Sequence, residues 1–281
     1  MGECCFFVNR SSGSHDPAQC DALRQALQRR GGRPVRMIAI PDDPLLSAAQ
    51  ARADNIDLIA IFAGDGTVSA AVDALEGWKG ELLILPGGTM NLLSRKLHGD
   101  AEPEAIIERA FGPAARRATL PLAEGCGVRS LVGIVAGPTA AWGEVREDMR
   151  KLDLGGLVES VPGALQETLQ GEPVSLDGAE GAFQAIFIDP QEDGLAANAV
   201  NAATAAELLQ HGWAWLRGDF RDGPQTPLLC ARALTLRRDG DIDLLVDGER
   251  ARVASPCRFT LGRSGLTFIA TVKLQGCPGS K

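Results

Sequence analysis

Three short segments carry residue types that can grip a phosphate. The first is Phe62-Ala63-Gly64-Asp65-Gly66-Thr67, at the end of the apolar run Asp57-Leu58-Ile59-Ala60-Ile61-Phe62. Glycines at a strand's end let backbone N–H groups approach phosphate oxygens without a Cβ in the way, and a helix starting there favours an anion. Thr67 adds a hydroxyl donor. Asp65 is the odd member, because a carboxylate beside phosphates repels them unless it holds Mg²⁺ or takes a proton from an attacking hydroxyl. Asp-Gly is also a common pair in type I′ and II′ turns, so Gly64–Thr67 alone reads equally as a plain turn. Two further segments shift the balance: Asn9-Arg10-Ser11-Ser12-Gly13 and Pro86-Gly87-Gly88-Thr89-Met90-Asn91 also follow apolar runs. If all three follow parallel strands, they gather along one sheet edge, where ligands bind beyond the carboxyl ends. Arg10 and Arg95 lie in or beside these loops, with a charge suited to phosphate.

The elements that must position these loops come in a repeating order. Apolar strand-like runs at 4–8, 35–40, 57–62 and 82–85 alternate with helix-like segments. Asp16-Pro17 opens the first helix as N-cap and first position, and Gly31-Gly32 stops it. Further helices are expected over 44–54, 68–75, 90–97 and 103–111. Strand, turn and helix repeated four times predict a parallel sheet with helices on both faces, an α/β N-terminal domain over 1–117. Beyond residue 117 the rhythm changes. Short apolar runs at 118–122, 131–136, 182–188, 228–236, 242–246 and 258–261 are separated by Gly, Pro and Asp turns, as in an antiparallel, β-rich domain over 118–267. Helical insertions are expected near 139–151 and 196–216, and the C-terminal tail, about 268–281, is free to return to the first domain.

Composition narrows the function classes. A chain of 281 residues with a net charge of −8 lacks the broad basic footprint of a nucleic-acid binder, and the charge gives no reason for firm docking on an anionic membrane. No apolar run reaches the roughly 18 residues of a spanning helix. Met1–Phe6 has the form of neither a signal peptide nor a myristoylation site, since position 6 is Phe. Seven cysteines, an odd number with no C-x-x-C spacing, indicate neither a zinc site nor a disulfide framework, so free thiols in a reducing cytoplasm are expected. His15, His98 and His211 show no metal spacing and read as solvated or capping residues. Trp213 and Trp215 read as helix core, and Arg146-Glu147-Asp148 as a solvated helix face.

VNRSSG (8–13), FAGDGT (62–67), LPGGTMNLLSR (85–95) and VDGE (246–249) together resemble the diacylglycerol kinase catalytic-domain family, which includes bacterial lipid kinases and sphingosine and ceramide kinases. The resemblance spans nearly the whole chain. It implies an N-terminal α/β domain of the NAD kinase and diacylglycerol kinase type, a sandwich-like C-terminal lipid-substrate domain, and ATP with Mg²⁺ in the cleft between them. It further implies transfer of the γ-phosphoryl group to a hydroxyl of diacylglycerol or a related lipid. On this resemblance Asn9, Ser11, Ser12 and Gly13 form the first nucleotide loop, Gly64, Asp65, Gly66 and Thr67 the phosphate turn, and Gly88, Thr89 and Asn91 the third loop. Glu249 matches the proton acceptor, with Asp65 its rival in the sphingosine kinase branch. The sequence departs from the pattern at Arg10 (usually Pro), Ala63 (Gly), Ser69-Ala70 (Asn-Glu) and Leu92 (Asp). Two carboxylates are thereby lost, which leaves Asp65, Asp247 and Glu249 to carry Mg²⁺. An NAD kinase-like phosphotransferase and a catalytically degenerate nucleotide- or lipid-binding regulator are the alternatives. The implied setting is cytoplasmic or peripheral on a membrane, with the lipid alcohol met transiently, no nucleic acid, and a homodimer allowed.

Overall fold

Continuous apolar runs can be buried on both faces only in the middle of a sheet, and β3 (Ile56–Ala63) is such a strand, buried at seven of its eight positions. The computed structural model describes residues 2–11, 16–138, 171–200, 225–247 and 249–277. The chain divides into two units, Met1–Leu120 with Arg263–Leu274, and Pro121–Gly262 with Gln275–Lys281.

In the first unit β1 (Glu3–Asn9), β2 (Val35–Ile40), β3, β4 (Glu81–Pro86), β5 (Arg116–Ala118) and β18 (Thr267–Ala270) form one sheet in the order β2-β1-β3-β4-β18-β5. All neighbours run parallel except β5, which is antiparallel to β18. Cys4, Phe6 and Val8 of β1 and Leu58, Ala60 and Phe62 of β3 share a core with Cys20, Leu23 and Leu27 of α1 (Pro17–Gly31) and with Ile106, Ile107 and Ala110 of α5 (Pro103–Ala110). The intervening residues Cys5, Phe7, Ile59 and Ile61 point to the opposite face and are equally buried. There α2 (Ala48–Ala53) and α3 (Asp65–Ala74) contact β3, and α4 (Leu92–His98) contacts β4.

The helix limits follow from their caps. Asp16 accepts the Ala18 N–H at the start of α1, and Gly32 closes it at φ 64°. The expected helix over 44–54 is shorter in the structure. A reciprocal capping box between Ser47 and Gln50 starts α2 at Ala48. The expected turn at Gly64–Thr67 is itself helical, because α3 begins at Asp65.

In the second unit two six-stranded sheets line one core. One has β10 (Ala182–Phe183), β9 (Val174–Leu176), β14 (Ala233–Arg237), β17 (Cys257–Arg263), β6 (Pro121–Gly125) and β7 (Val128–Ser130) in that order. The other has β13 (Gln225–Ala231), β12 (Leu195–Val200), β11 (Ile186–Pro190), β8 (Ile134–Ala136), β15 (Ile242–Val246) and β16 (Glu249–Val253). Val174, Leu176, Leu234, Leu236 and Phe259 from the first meet Ile134, Ile186, Ile188, Ile242 and Leu244 from the second. The unit is β-rich, as its alternating runs predict.

Two expectations fail here. Residues 196–200 are not the start of a helix but lie in β12, hydrogen-bonded to β11 on one side and β13 on the other, so tertiary pairing overrides the helical propensity of Leu195-Ala196-Ala197-Asn198-Ala199. Four cysteines are not free thiols: Cys126 pairs with Cys257, and Cys230 with Cys277. Cys4, Cys5 and Cys20 are buried and outside these disulfides, and burial pushes the Cys4 thiol up to about 12. The expected helical insertion at 139–151, the remainder of the second at 201–216, and the Trp213, Trp215, Arg146–Asp148 and His211 readings lie outside the described residues. Among the described residues no helix is long and apolar enough to cross a membrane.

Candidate functional site

The strand order reverses direction between β1 and β3, so the loops leaving their carboxyl ends stand side by side, the usual place for a ligand in an open α/β sheet. Among the described residues a hydrogen bond joins them. Asn9 Nδ2 donates to Thr67 Oγ1 at 2.8 Å, while Asn9 Oδ1 accepts the Ser11 N–H at 2.9 Å. Asn9 therefore shapes its own loop and fixes the first turn of α3 to it. Ser12 and Gly13, expected in the same loop, lie outside the described residues, as does His15.

The α3 start has the features of an anion seat. Its N-cap, Gly64, has an extended backbone (φ −75°, ψ 166°) and supplies no side-chain cap to the first turn. Gly66 is exposed, and Gly64, Asp65 and Thr67 are half-buried. The helix N-terminus itself favours negative charge. Asp65 stands in that first turn, and its Oδ1 accepts the Leu92 N–H at 2.7 Å. The carboxylate that is hard to place beside phosphates in the sequence therefore ties the start of α3 to the start of α4.

The third loop closes on itself and on the second. Asn91, the N-cap of α4 at φ 51°, accepts the Gly88 N–H through Oδ1 at 2.7 Å and donates through Nδ2 to the Gly88 carbonyl at 2.8 Å. Asn is among the few residues that adopt this left-handed conformation readily. The two glycines are required by close approach. A Cβ on Gly88 would stand 2.5 Å from the Gly64 Cα, and one on Gly87 2.5 Å from the Ala63 nitrogen. Backbone meets backbone here, so neither position can hold a side chain without moving a loop. Thr89 is exposed. The two arginines bind carboxylates, Arg10 to Asp42 at 2.9 Å and Arg95 to Asp100 at 2.7 Å.

The Asp247–Glu249 candidates belong to the second unit. Asp247 sits at φ 48° between β15 and β16. Its carboxylate accepts the Leu131, Val132 and Gly133 N–H groups at 3.0–3.1 Å and the Ser130 hydroxyl. The Gly133 carbonyl in return accepts the Asp247 N–H at 3.1 Å. Asp247 thus anchors the β15–β16 hairpin to the turn between β7 and β8. Sequence reading missed Ser130 and its turn, which lie more than 110 residues away and carry no motif. Gly248 lies outside the described residues. Glu249 opens β16 opposite Val246, is exposed, and makes no side-chain bond among the described residues. Among those residues no group of three His, Cys, Asp or Glu side chains is gathered as a metal site.

Residues 3–121 match the family model of the diacylglycerol kinase catalytic domain, so the resemblance read from the motifs holds over that segment. No curated protein matches the chain. Among solved structures it is similar to a diacylglycerol kinase from Bacillus anthracis str. Sterne at 15% identity and a TM-score of 0.61, covering 95% of this chain and 96% of that one. A second structure from the same organism, described as a candidate diacylglycerol kinase, gives 16% and 0.62 over the same shares. At such identity the likeness is one of fold.

Proposed function

We propose that this chain, whose residues 3–121 match the diacylglycerol kinase catalytic domain, is an ATP-dependent lipid kinase that phosphorylates a hydroxyl of diacylglycerol or a related lipid. The observation that carries this reading is the α3 start at the β1/β3 strand reversal. Its first turn has no side-chain cap and is held by the Asn9–Thr67 bond. That arrangement suits the phosphates of a nucleotide, with Thr67 and the backbone N–H groups of α3 as donors. The sandwich-like pair of sheets in the second unit is then the lipid-substrate domain.

Mg²⁺ fits the donor set in its usual manner, through one or two carboxylates and the substrate's own phosphates rather than an all-protein cage. Asp65, in the first turn of α3, is the carboxylate we assign to it, and the ion would supply neutralisation of phosphate charge when bound. Asp247, engaged by four donors, serves instead to fix the hairpin on which Glu249 stands. Glu249 then accepts the proton of the lipid hydroxyl as that oxygen attacks the γ-phosphorus, and ADP leaves.

The test is incubation of the purified chain with ATP, Mg²⁺ and a panel of diacylglycerols, sphingoid bases and ceramides, with NAD as a separate arm. Products are identified by mass spectrometry. A phosphorylated lipid is the expected result. Phosphorylation of NAD alone, or of nothing in the panel, overturns the proposal.

A further inference from the structure

His98 departs from the solvated or capping role expected of it, being only 1% exposed at the last position of α4. Its Nδ1 lies 3.0 Å from the Thr271 hydroxyl. The same segment grips the preceding residue, as the Thr271 and Val272 N–H groups donate to the Leu97 carbonyl at 2.9 and 3.2 Å. His98 Nε2 is buried without a hydrogen bond of standard geometry. Midway along α4 the Ser94 hydroxyl donates to the Ile84 carbonyl of β4 at 3.2 Å, and at the other end Leu92 donates to Asp65. With seven residues α4 spans only about 10 Å, so a shift at His98 is carried to Asn91 by a nearly rigid rod.

We propose that His98 is a positioning residue for the loop between β4 and α4: as a neutral imidazole it latches α4 to Thr271, and its protonation opens that latch. The inference rests on the kinase reading only for what the loop holds.

Burial lowers His98 from 6.5 to about 4, against an opposing pull from the Ile84 carbonyl, and Arg109 of α5 acts in the same direction as burial. The other charged groups on the surrounding elements are Arg95 and Lys96 on α4, Asp100 paired with Arg95, Glu104 and Glu108 on α5, the latter paired with Arg30, Glu81 at the far end of β4 paired with Arg117, and Lys273 beyond Thr271. Because the latched pKa lies below the released one, the released state binds the extra proton. The latch is at full strength above about pH 6.5 and weakens as pH falls towards 4. Linkage puts the shift towards opening at about 30-fold between pH 7.5 and pH 5.

The experiment measures hydrogen-exchange protection of the α4 amides and ATP affinity at both pH values, on the full chain. Three proteins are compared: wild type, His98→Gln and Thr271→Val. The wild type should lose about 30-fold protection at pH 5, with ATP affinity reduced only by the fraction of molecules whose latch is open, and His98→Gln should lose neither. Thr271→Val, which removes only the hydroxyl, should lower α4 protection at both pH values, and it decides the matter if the His98 variant does not fold. A pH-independent wild-type α4, an equal loss in His98→Gln, or undiminished protection in Thr271→Val overturns the latch. Failure of the wild type to bind ATP at either pH, with the exchange pattern as expected, overturns the kinase reading and leaves the latch standing.

Discussion

Asp65 and Asp247 each precede a glycine, and both carboxylates face backbone N–H groups, yet the two aspartates hold different things together. Asp65 reaches from the start of α3 to the start of α4 and so sets the spacing of two loops. Asp247 takes three N–H groups and a hydroxyl from one turn and closes it against a hairpin. The first links two parts of a proposed nucleotide seat; the second builds a base for Glu249. The same dipeptide thus marks a spacer in one unit and an anchor in the other, and only the donors around each carboxylate distinguish them.

The sharpest way to break this comparison is Asp247→Ala. It removes the acceptor of the Ser130 hydroxyl and the Leu131 and Val132 N–H groups, and leaves the Gly133 N–H only its bond to Ser130 Oγ. It also places a non-glycine, non-asparagine residue at positive φ, so the second unit should lose about 3–5 kcal/mol in denaturant unfolding. A loss below about 1 kcal/mol would mean that water replaces the carboxylate and that the anchor reading is wrong. Next in size is Glu249→Gln, measured as lipid phosphorylation against thermal melting. Transfer should fall about 100-fold, with stability changed by less than about 0.5 kcal/mol, since the side chain is exposed. Equal activity in the variant would remove Glu249 as proton acceptor. The smallest effect separates the two roles of Asp65: Asp65→Ala, which loses both the Leu92 bond and the charge offered to Mg²⁺, should raise the KM for ATP about tenfold, and Asp65→Asn, which loses only the charge, about threefold. If the two variants are equally impaired, the Leu92 bond contributes nothing and the spacer role is wrong.

Local chemistry made the first unit readable from sequence. Asp16-Pro17 and Gly31-Gly32 mark the ends of α1 because the residues that satisfy a helix terminus lie within the segment itself. Residues 44–54 misled, since the apolar pattern extends back to Pro44 whereas the capping box begins at Ser47. The second unit depends on distant partners. The alanine-rich stretch 195–199 becomes a strand only because β11 and β13 flank it, and no local residue announces either neighbour. The engagement of Asp247 by residues 130–133 and the pairing of Cys126 with Cys257 are hidden for the same reason. At the candidate site, the loops were legible as glycine-rich segments. The reason for their glycines was not, because Gly88 answers to Gly64 across the sheet edge rather than to anything beside it in sequence.

That contact has a consequence for how such a chain can change over evolutionary time. The neighbouring loop forbids a Cβ on Gly87 and Gly88 whether or not a phosphate is ever bound. A descendant that lost its chemistry would keep both glycines for as long as it kept its shape. They are marks of architecture, as Thr67 is in part through its bond to Asn9, whereas exposed Glu249 is the candidate residue that the fold could exchange at little cost.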